Sequence, residues 1–466
     1  MIKNIEELFR DRSLAEVYDP DNSFTNKLIA KNSGKYDKDI IIKFGVDPTR
    51  PDIHLGHAVV FRFLRKMQDL GCKVVFLVGD FTAKIGDPTG RSKVRPEIEQ
   101  QEIEKNMKTY LEQVGKILKT DNKSFSWIRN SDWFYAVEDI VPGLGDRVEI
   151  NVKKAGIGFD VEITPNSFVG KAAIFEKTRM QVALGKNRII SITIRGLLWT
   201  LRHITHQRLI SRDMFQERLK AGEELYMHEM LYPILQGIDS FVLSQIYGSC
   251  DLEIGGTDQT FNMLMGRDVM KINETEPQSV ISCKILKGLD GEDKMSKSLD
   301  NYIAINEEPT DIFGKLMSMP DSLMEEYFNL CTDLKEEEIK EHFDKLKNGE
   351  NPKKIKTILA KEVIKKYFGE KEAEISAVSF ENVFSKKEFP EDAKVIICKS
   401  EDKICDVLVS NKIIASKSEF RRLIDGGGVT NFPELKIKNH NELVGEKERK
   451  LRIGKIIFVL LKPDKD

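Results

Sequence analysis

The chain has 466 residues, room for two or three domains with a sizeable core, and its 40% hydrophobic and 32% charged content is ordinary for a globular protein in water. Lys+Arg 73 against Asp+Glu 75 gives a formal charge of −2, which excludes a globally basic nucleic-acid coat but not a local basic face. No apolar run reaches the roughly 18 residues that would span a bilayer. The six cysteines lie far apart without a C-x-x-C pair, which suits buried thiols in a reducing cytoplasm better than disulfides or zinc.

The stretch Met1–Phe9 reads as an acidic amphipathic turn and not as a signal peptide, so a cytoplasmic protein is expected. Residues 40–46 form a short apolar run, followed by the turn residues Asp47-Pro48-Thr49. A helical pattern over 58–67 ends near Leu70-Gly71, and 73–79 is apolar and continuous, as a strand buried on both faces requires. Strand, helix, strand in this order is a βαβ unit whose ligand site is expected at the carboxyl ends of its strands. Between about Ala136 and Ile192, three runs alternate apolar and polar residues between Gly/Asn/Pro turns, which predicts a small antiparallel β insertion. Helical periodicity returns at Gly196–Leu219 and Met230–Tyr247. Residues 306–384 are charged and helical, a Pro-containing charged break follows at 385–392, and 393–466 reads as a separate small α/β module.

Two motifs carry chemistry. In Asp47-Pro48-Thr49-Arg50-Pro51-Asp52-Ile53-His54-Leu55-Gly56-His57, two imidazoles three apart at a helix start place N–H donors beside the positive end of the helix dipole. Gly56 is expected to leave room for a purine or phosphate. A capped helix start with two surface histidines is the equal alternative. The second motif, Lys294-Met295-Ser296-Lys297-Ser298, follows the glycine-containing stretch 288–293; two lysines on a loop suit neutralisation of pyrophosphate in a transition state.

Together, His54-Leu55-Gly56-His57 and the Lys-Met-Ser-Lys-Ser pentamer resemble the two signatures of class I aminoacyl-tRNA synthetases. The segments Gly79–Arg91, Tyr232–Asp239 and Gly255-Gly256-Thr257-Asp258-Gln259 are similar to the bacterial tyrosyl-tRNA synthetase family. The resemblance implies an α/β fold: a Rossmann-like nucleotide-binding domain over 1–305 with the β insertion at about 137–188, an α-helical anticodon-side domain over 306–384, and an S-four-type RNA-binding domain over 393–466.

The resemblance also implies roles. Thr49, His54 and His57, with the mobile cations Lys294, Lys297, Arg91 and Arg95, would be catalytic, although a plain surface arginine is a real alternative for Arg95. ATP would meet Asp47, His54, Gly56, His57, Gly255, Gly256, Asp258 and Lys297. Tyrosine would be held by Asp87, Tyr232, Gln236 and Gln259, with Asp239 accepting the phenol hydroxyl. The spacing of Tyr232, Gln236 and Asp239 puts three polar side chains on one helical face, which favours a site over packing. In the tail, Lys417, Arg421 and Arg422 form a basic edge suited to RNA phosphate. ATP with Mg²⁺, tyrosine and its tRNA are the implied partners, in a homodimer with no membrane, no tightly bound cofactor and no protein-bound metal.

Two departures stand out. Lys43 lies where one subgroup has a tyrosine, and Gly237-Ile238 stands where the family usually has Ala-Tyr. The insertion falls where the class I connective segment usually makes the dimer contact; a decorated surface, altered dimer packing and an added acceptor-stem contact are all open readings. A splicing or ribosome factor built on a retired synthetase core is the second functional reading.

Overall fold

The structure is a computed structural model and describes residues 5–89, 98–134, 139–142, 148–152, 161–163, 174–176, 179–184, 187–192, 194–296, 299–384, 389, 393–432, 435–454 and 457–464. It divides into two compact units, one of residues 1–287 with 294–305, the other of 288–293 with 306–466.

The first unit is built on one six-stranded sheet. Its strands are β1 (Leu14–Tyr18), β2 (Ile41–Val46), β3 (Lys73–Val78) and β4 (Phe125–Arg129), then β11 (Leu252–Gly256) and β12 (Ser279–Cys283), in the order β1-β12-β11-β2-β3-β4. All pairings are parallel except β1 with β12. The near-continuous apolar character of β2 and β3 follows from burial on both sheet faces. From β2 the chain winds outward to β3 and β4, and β11 and β12 return on the other side. The switch point therefore lies between β2 and β11, where α/β sheets open a crevice for ligands.

The helix Leu55–Asp69 buries Leu55, Ala58, Val59, Phe63 and Met67, a 3.6-residue stripe that covers the sheet. On the other side the helices Met227–Tyr247 and Thr260–Ile272 pack with Ile41, Val75, Leu77, Trp133 and Ile238 in one core cluster. Their close approach explains the glycine at 237. A Cβ there would lie 2.8 Å from Val269 Cγ2 and 3.1 Å from the Met265 carbonyl oxygen, so alanine would push the helices apart.

Two small antiparallel sheets occupy the insertion. One contains β5 (Asp139–Pro142), β6 (Val148–Val152) and β7 (Val161–Ile163); the other contains β8 (Ile174–Glu176), β9 (Arg179–Leu184) and β10 (Asn187–Ser191). The helical periodicity over 196–219 is carried by three helices, Ile194–Leu201, His206–Ile210 and Asp213–Ala221. Thr205 caps the second by accepting from the Arg208 amide at 3.2 Å, a local hydrogen bond that interrupts the helical run.

The second unit holds the helices Pro309–Ser318, Met324–Cys331, Glu336–Lys347, Pro352–Phe368 and Glu370–Phe384. Pro309 and Pro352 sit in first turns, where a missing N–H costs nothing, and Asn351 caps the second of these helices. The tail forms a sheet of order β13-β17-β16-β14-β15, made of β13 (Lys394–Cys398), β14 (Val429–Asn431), β15 (Leu435–Lys436), β16 (Arg449–Ile453) and β17 (Ile457–Pro463). Its core, with Ile404, Phe420, Val459 and Leu461 fully buried, draws only on residues 396–461. All six cysteines are buried and free. No described helix is long and apolar enough to cross a membrane.

Candidate active site

At the switch point a cavity of about 610 Å³ opens, lined entirely by residues between Lys43 and Ser296. Every ATP-side and tyrosine-side position expected from the sequence lines it, apart from Lys297, Arg91 and Arg95, which lie outside the described residues.

One wall is the turn after β2. Asp47 Oδ1 accepts from Thr82 Oγ at 2.8 Å, and Oδ2 accepts from the Tyr232 hydroxyl at 2.8 Å. Asp47 thus ties the turn after β2 to the helix Met227–Tyr247. Gly79 makes this possible, since a Cβ there would fall 2.1 Å from Asp47 Oδ1 and 2.4 Å from Thr82 Oγ. The turn is braced from behind by the helix Gln100–Val114. Asn106 Nδ2 donates to the Pro48 carbonyl at 2.9 Å, Thr109 Oγ to the Pro51 carbonyl at 2.5 Å, and Gln113 Oε1 accepts from the Ile53 amide at 2.7 Å. Sequence reasoning passed over these three residues, although their i, i+3, i+7 spacing marks one polar stripe on the helix.

His54 caps the helix Leu55–Asp69, its amide donating to His57 Nδ1 at 3.3 Å, and the two imidazoles lie 3.9 Å apart. Gly56 lines the cavity, and a Cβ there would sit 3.0 Å from the His54 ring. The motif is bound to the segment that follows the lysine loop. Leu55 N donates to Ile303 O at 3.0 Å and Ile305 N to Ile53 O at 2.9 Å, closing an antiparallel bridge of His54 with Ala304.

Lys294 Nζ stands 2.7 Å from Asp258 Oδ2, so the first lysine of the loop pairs with the carboxylate expected at the ribose. Met295 is buried beneath it, and Asn301 holds the loop backbone through Ser296 N at 2.8 Å and Lys294 O at 3.2 Å. Gly256 admits the Asp258 carboxylate, whose Oδ1 would be 2.7 Å from a Cβ at that position.

Part of the lining is fully buried. Asp239 is 2% exposed, with Oδ1 accepting from Trp133 Nε1 at 3.0 Å and Oδ2 from Asn130 Nδ2 at 3.4 Å. Burial pushes its carboxyl up to about 7, while Lys43 pulls the other way. Lys43 itself is fully buried, and each of its ammonium protons has an acceptor: the Gln236 carbonyl at 2.8 Å, Ser240 Oγ at 2.8 Å and Glu253 Oε1 at 2.9 Å. It therefore has no donor left for a phenol hydroxyl.

Elsewhere in the cavity lining, Asp87 Oδ1 accepts from Thr89 Oγ at 2.5 Å and Oδ2 from Gln259 Nε2 at 2.7 Å. Arg212, 5% exposed and absent from the sequence-based set, donates to Thr89 Oγ. Burial lowers its guanidinium affinity for a proton, opposed by Asp87 and Asp258. In the tail, Lys417, Arg421 and Arg422 are exposed, and Lys417 Nζ lies 2.6 Å from Asp406. Among the described residues no group of three or more His, Cys, Asp or Glu side chains could hold a metal ion.

A parallel sheet whose strand ends gather a His-x-x-His helix start, a Gly-Gly-x-Asp turn and a lysine loop around one cavity defines the class I aminoacyl-tRNA synthetase architecture. The chain belongs to the family described as "tRNA synthetases class I (W and Y)", whose model matches residues 35–150 and 172–385. It is 38% identical over 418 residues to a protein of Thermotoga maritima named tyrosine–tRNA ligase, covering 90% of this chain and 89% of that one. It is 35% identical over 463 residues to tyrosine–tRNA ligase 2 of Clostridium acetobutylicum, covering 99% of each. Among solved structures, a truncated mitochondrial tyrosyl-tRNA synthetase of Aspergillus nidulans shares the fold at a TM-score of 0.55 and 19% identity, over 82% of this chain and 94% of that one. The Archaeoglobus fulgidus tyrosyl-tRNA synthetase complexed with L-tyrosine does so at 0.52 and 17%, over 80% of this chain and 99% of that one.

Proposed function

We propose that this chain is a tyrosine–tRNA ligase that joins tyrosine to ATP, releasing pyrophosphate, and then passes the tyrosyl group to the 3′ end of its tRNA. The observation that carries the choice of amino acid is Asp239, a buried carboxylate at the closed end of the cavity, flanked by the donors of Asn130 and Trp133. A phenol hydroxyl completes that set by donating, whereas phenylalanine would leave the buried carboxylate one donor short, an error penalised by up to roughly 10⁴–10⁵. The relatives named tyrosine–tRNA ligase support the same reading.

In this proposal the substrate carboxylate attacks the α-phosphorus directly and no side chain forms a covalent intermediate. Catalysis is positioning plus charge stabilisation by Thr49, His54, Lys294, Lys297, Arg91 and Arg95, with His57, the glycine pair and Asp258 at the nucleoside. Mg²⁺ enters on the ATP phosphates as part of the substrate. The chain works as a homodimer, and Lys417, Arg421 and Arg422 hold tRNA phosphates. The deciding assay is exchange of labelled pyrophosphate into ATP: it should require tyrosine, and exchange driven by tryptophan alone would reject the amino-acid assignment. Tight RNA binding with no exchange at all would instead mark a retired core.

Asp239→Asn tests the phenol acceptor. The amide should relax discrimination against phenylalanine more than it lowers activity with tyrosine. Because the wild-type carboxyl titrates at about 7, tyrosine's advantage over phenylalanine should fall as pH drops through that value, and the asparagine variant should lose the inflection. Stability should move the opposite way. A carboxyl raised on folding favours the protonated state, so its contribution is full below the unfolded value of 3.8 and is lost as pH rises through about 7. Asp239→Asn should therefore melt higher than wild type at alkaline pH, with little difference in acid. Equal melting temperatures at alkaline pH would show that Asp239 ionises without cost.

A further inference from the structure

Lys43 and Glu253 face each other across paired positions of β2 and β11, and both side chains are almost entirely buried. Each partner is fully used. Besides Lys43 at 2.9 Å, Glu253 Oε1 accepts from Gln236 Nε2 at 3.0 Å. Its Oε2 accepts from Ser240 Oγ at 3.1 Å and from Gln278 Nε2. A carboxylate can only accept, so the Gln236 amide must turn its nitrogen towards Glu253 and its oxygen away.

That choice propagates. Gln236 Oε1 accepts from Asn262 Nδ2 at 3.0 Å, and the same nitrogen donates to Gln259 Oε1 at 3.1 Å. Gln259 is left with its nitrogen towards Asp87, at 2.7 Å from Oδ2. Donation thus runs outward from Asn262 to both ends, through Gln236 to the Glu253 carboxylate and through Gln259 to the Asp87 carboxylate. With it, the residues of the proposed ammonium site present oxygens: Gln236 Oε1 and the Asp87 carboxylate.

We infer that the Lys43–Glu253 pair is a positioning unit for the amino-acid site, orienting the amides of Gln236, Asn262 and Gln259 so that the substrate's ammonium group meets acceptors. The inference rests on the proposed activation of an amino acid. Lys43 fixes the buried carboxylate in place through their 2.9 Å contact, and the pair acts through the Gln236 amide. The position where one subgroup has a tyrosine is thereby given to holding the other end of the ligand.

The test compares wild type, Glu253→Met and the double variant Lys43→Met/Glu253→Met in tyrosine-dependent pyrophosphate exchange. Glu253→Met leaves an unpaired ammonium, which recruits Gln236 Oε1 and turns its nitrogen to the site. The KM for tyrosine should rise on the order of 10²-fold, the loss expected when a charged ligand group faces a donor, with the KM for ATP within about twofold. The double variant removes the pull in both directions, so its tyrosine KM should lie about tenfold above wild type and below that of Glu253→Met. Buried ion pairs replaced by apolar residues often keep or gain stability, so the double variant carries the test if the single one does not fold. The des-amino analogue 3-(4-hydroxyphenyl)propionate, used as a competitive inhibitor, should bind all three proteins equally, because it has no ammonium to misplace. The inference is overturned if the double variant matches wild type, or if the KM values for tyrosine and ATP and the inhibitor constant rise together. If wild type itself shows no tyrosine-dependent exchange, the activity assignment fails instead.

Discussion

A protein lacking residues 393–466 should exchange pyrophosphate into ATP with tyrosine at close to the full rate, yet fail to charge tRNA. Every residue lining the cavity lies between Lys43 and Ser296, so the adenylation site loses nothing. The removed segment carries its own core, with Ile404, Phe420, Val429, Leu451, Val459 and Leu461 buried among themselves. Its excision exposes no side chain of that cluster in the remainder. What is lost is the exposed helix Lys417–Asp425 with Arg421 and Arg422, offered here as the tRNA phosphate contact. The milder pair Arg421→Ala with Arg422→Ala should weaken tRNA binding and flatten its dependence on salt, with the affinities for tyrosine and ATP unmoved. A truncated protein that still charges tRNA at the wild-type rate would move RNA recognition to another surface.

The second large effect is expected at the lysine loop. Lys297→Ala should slow tyrosyl-adenylate formation on the order of 10²–10³-fold in single turnover while tyrosine binding stays almost unchanged. The start of the loop is anchored by buried Met295 and by Asn301, and Lys294 is engaged by Asp258. An alanine at 297 therefore removes a cation without dismantling the wall beside it. Such a cation contributes only where charge builds on the departing pyrophosphate. Tyrosine affinity falling as far as the rate would mean that the pocket itself had been displaced.

Much of this architecture is legible in the chain, for physical reasons that differ by element. β2 and β3 read directly because strands buried on both faces are almost wholly apolar. The polar face of the helix Met227–Tyr247 reads because Tyr232, Gln236 and Asp239 break an apolar periodicity. Glu253, Asn262 and Arg212 escape notice because each is a lone polar residue whose partner comes from elsewhere in the chain: Lys43, Gln236 and Thr89. Pattern methods see neighbours at fixed spacing, and a buried ion pair between two strands has none. The helical character of 196–219 reads from its periodicity, but the three separate helices do not, because periodicity outlasts the local caps that end each one. Gly237, a departure from the family's usual residue, became intelligible only with the facing helix in place.

The strand order has a consequence for how the chain is made. The sheet's interior strands β2 and β11 are neighbours, yet β11 begins at Leu252, and β1 waits for β12 at Ser279. During synthesis, β2, β3 and β4 emerge with one edge of β2 unpaired, and the missing strand arrives only after the insertion and five described helices have been translated. The edge left open is Ile41-Ile42-Lys43-Phe44, apolar except for a lysine whose counter-charge, Glu253, does not yet exist. An unpaired ammonium on an otherwise sticky strand is the kind of gatekeeper that blunts edge-to-edge association. Fragments ending before Leu252 should therefore become prone to aggregation when Lys43 is replaced by methionine.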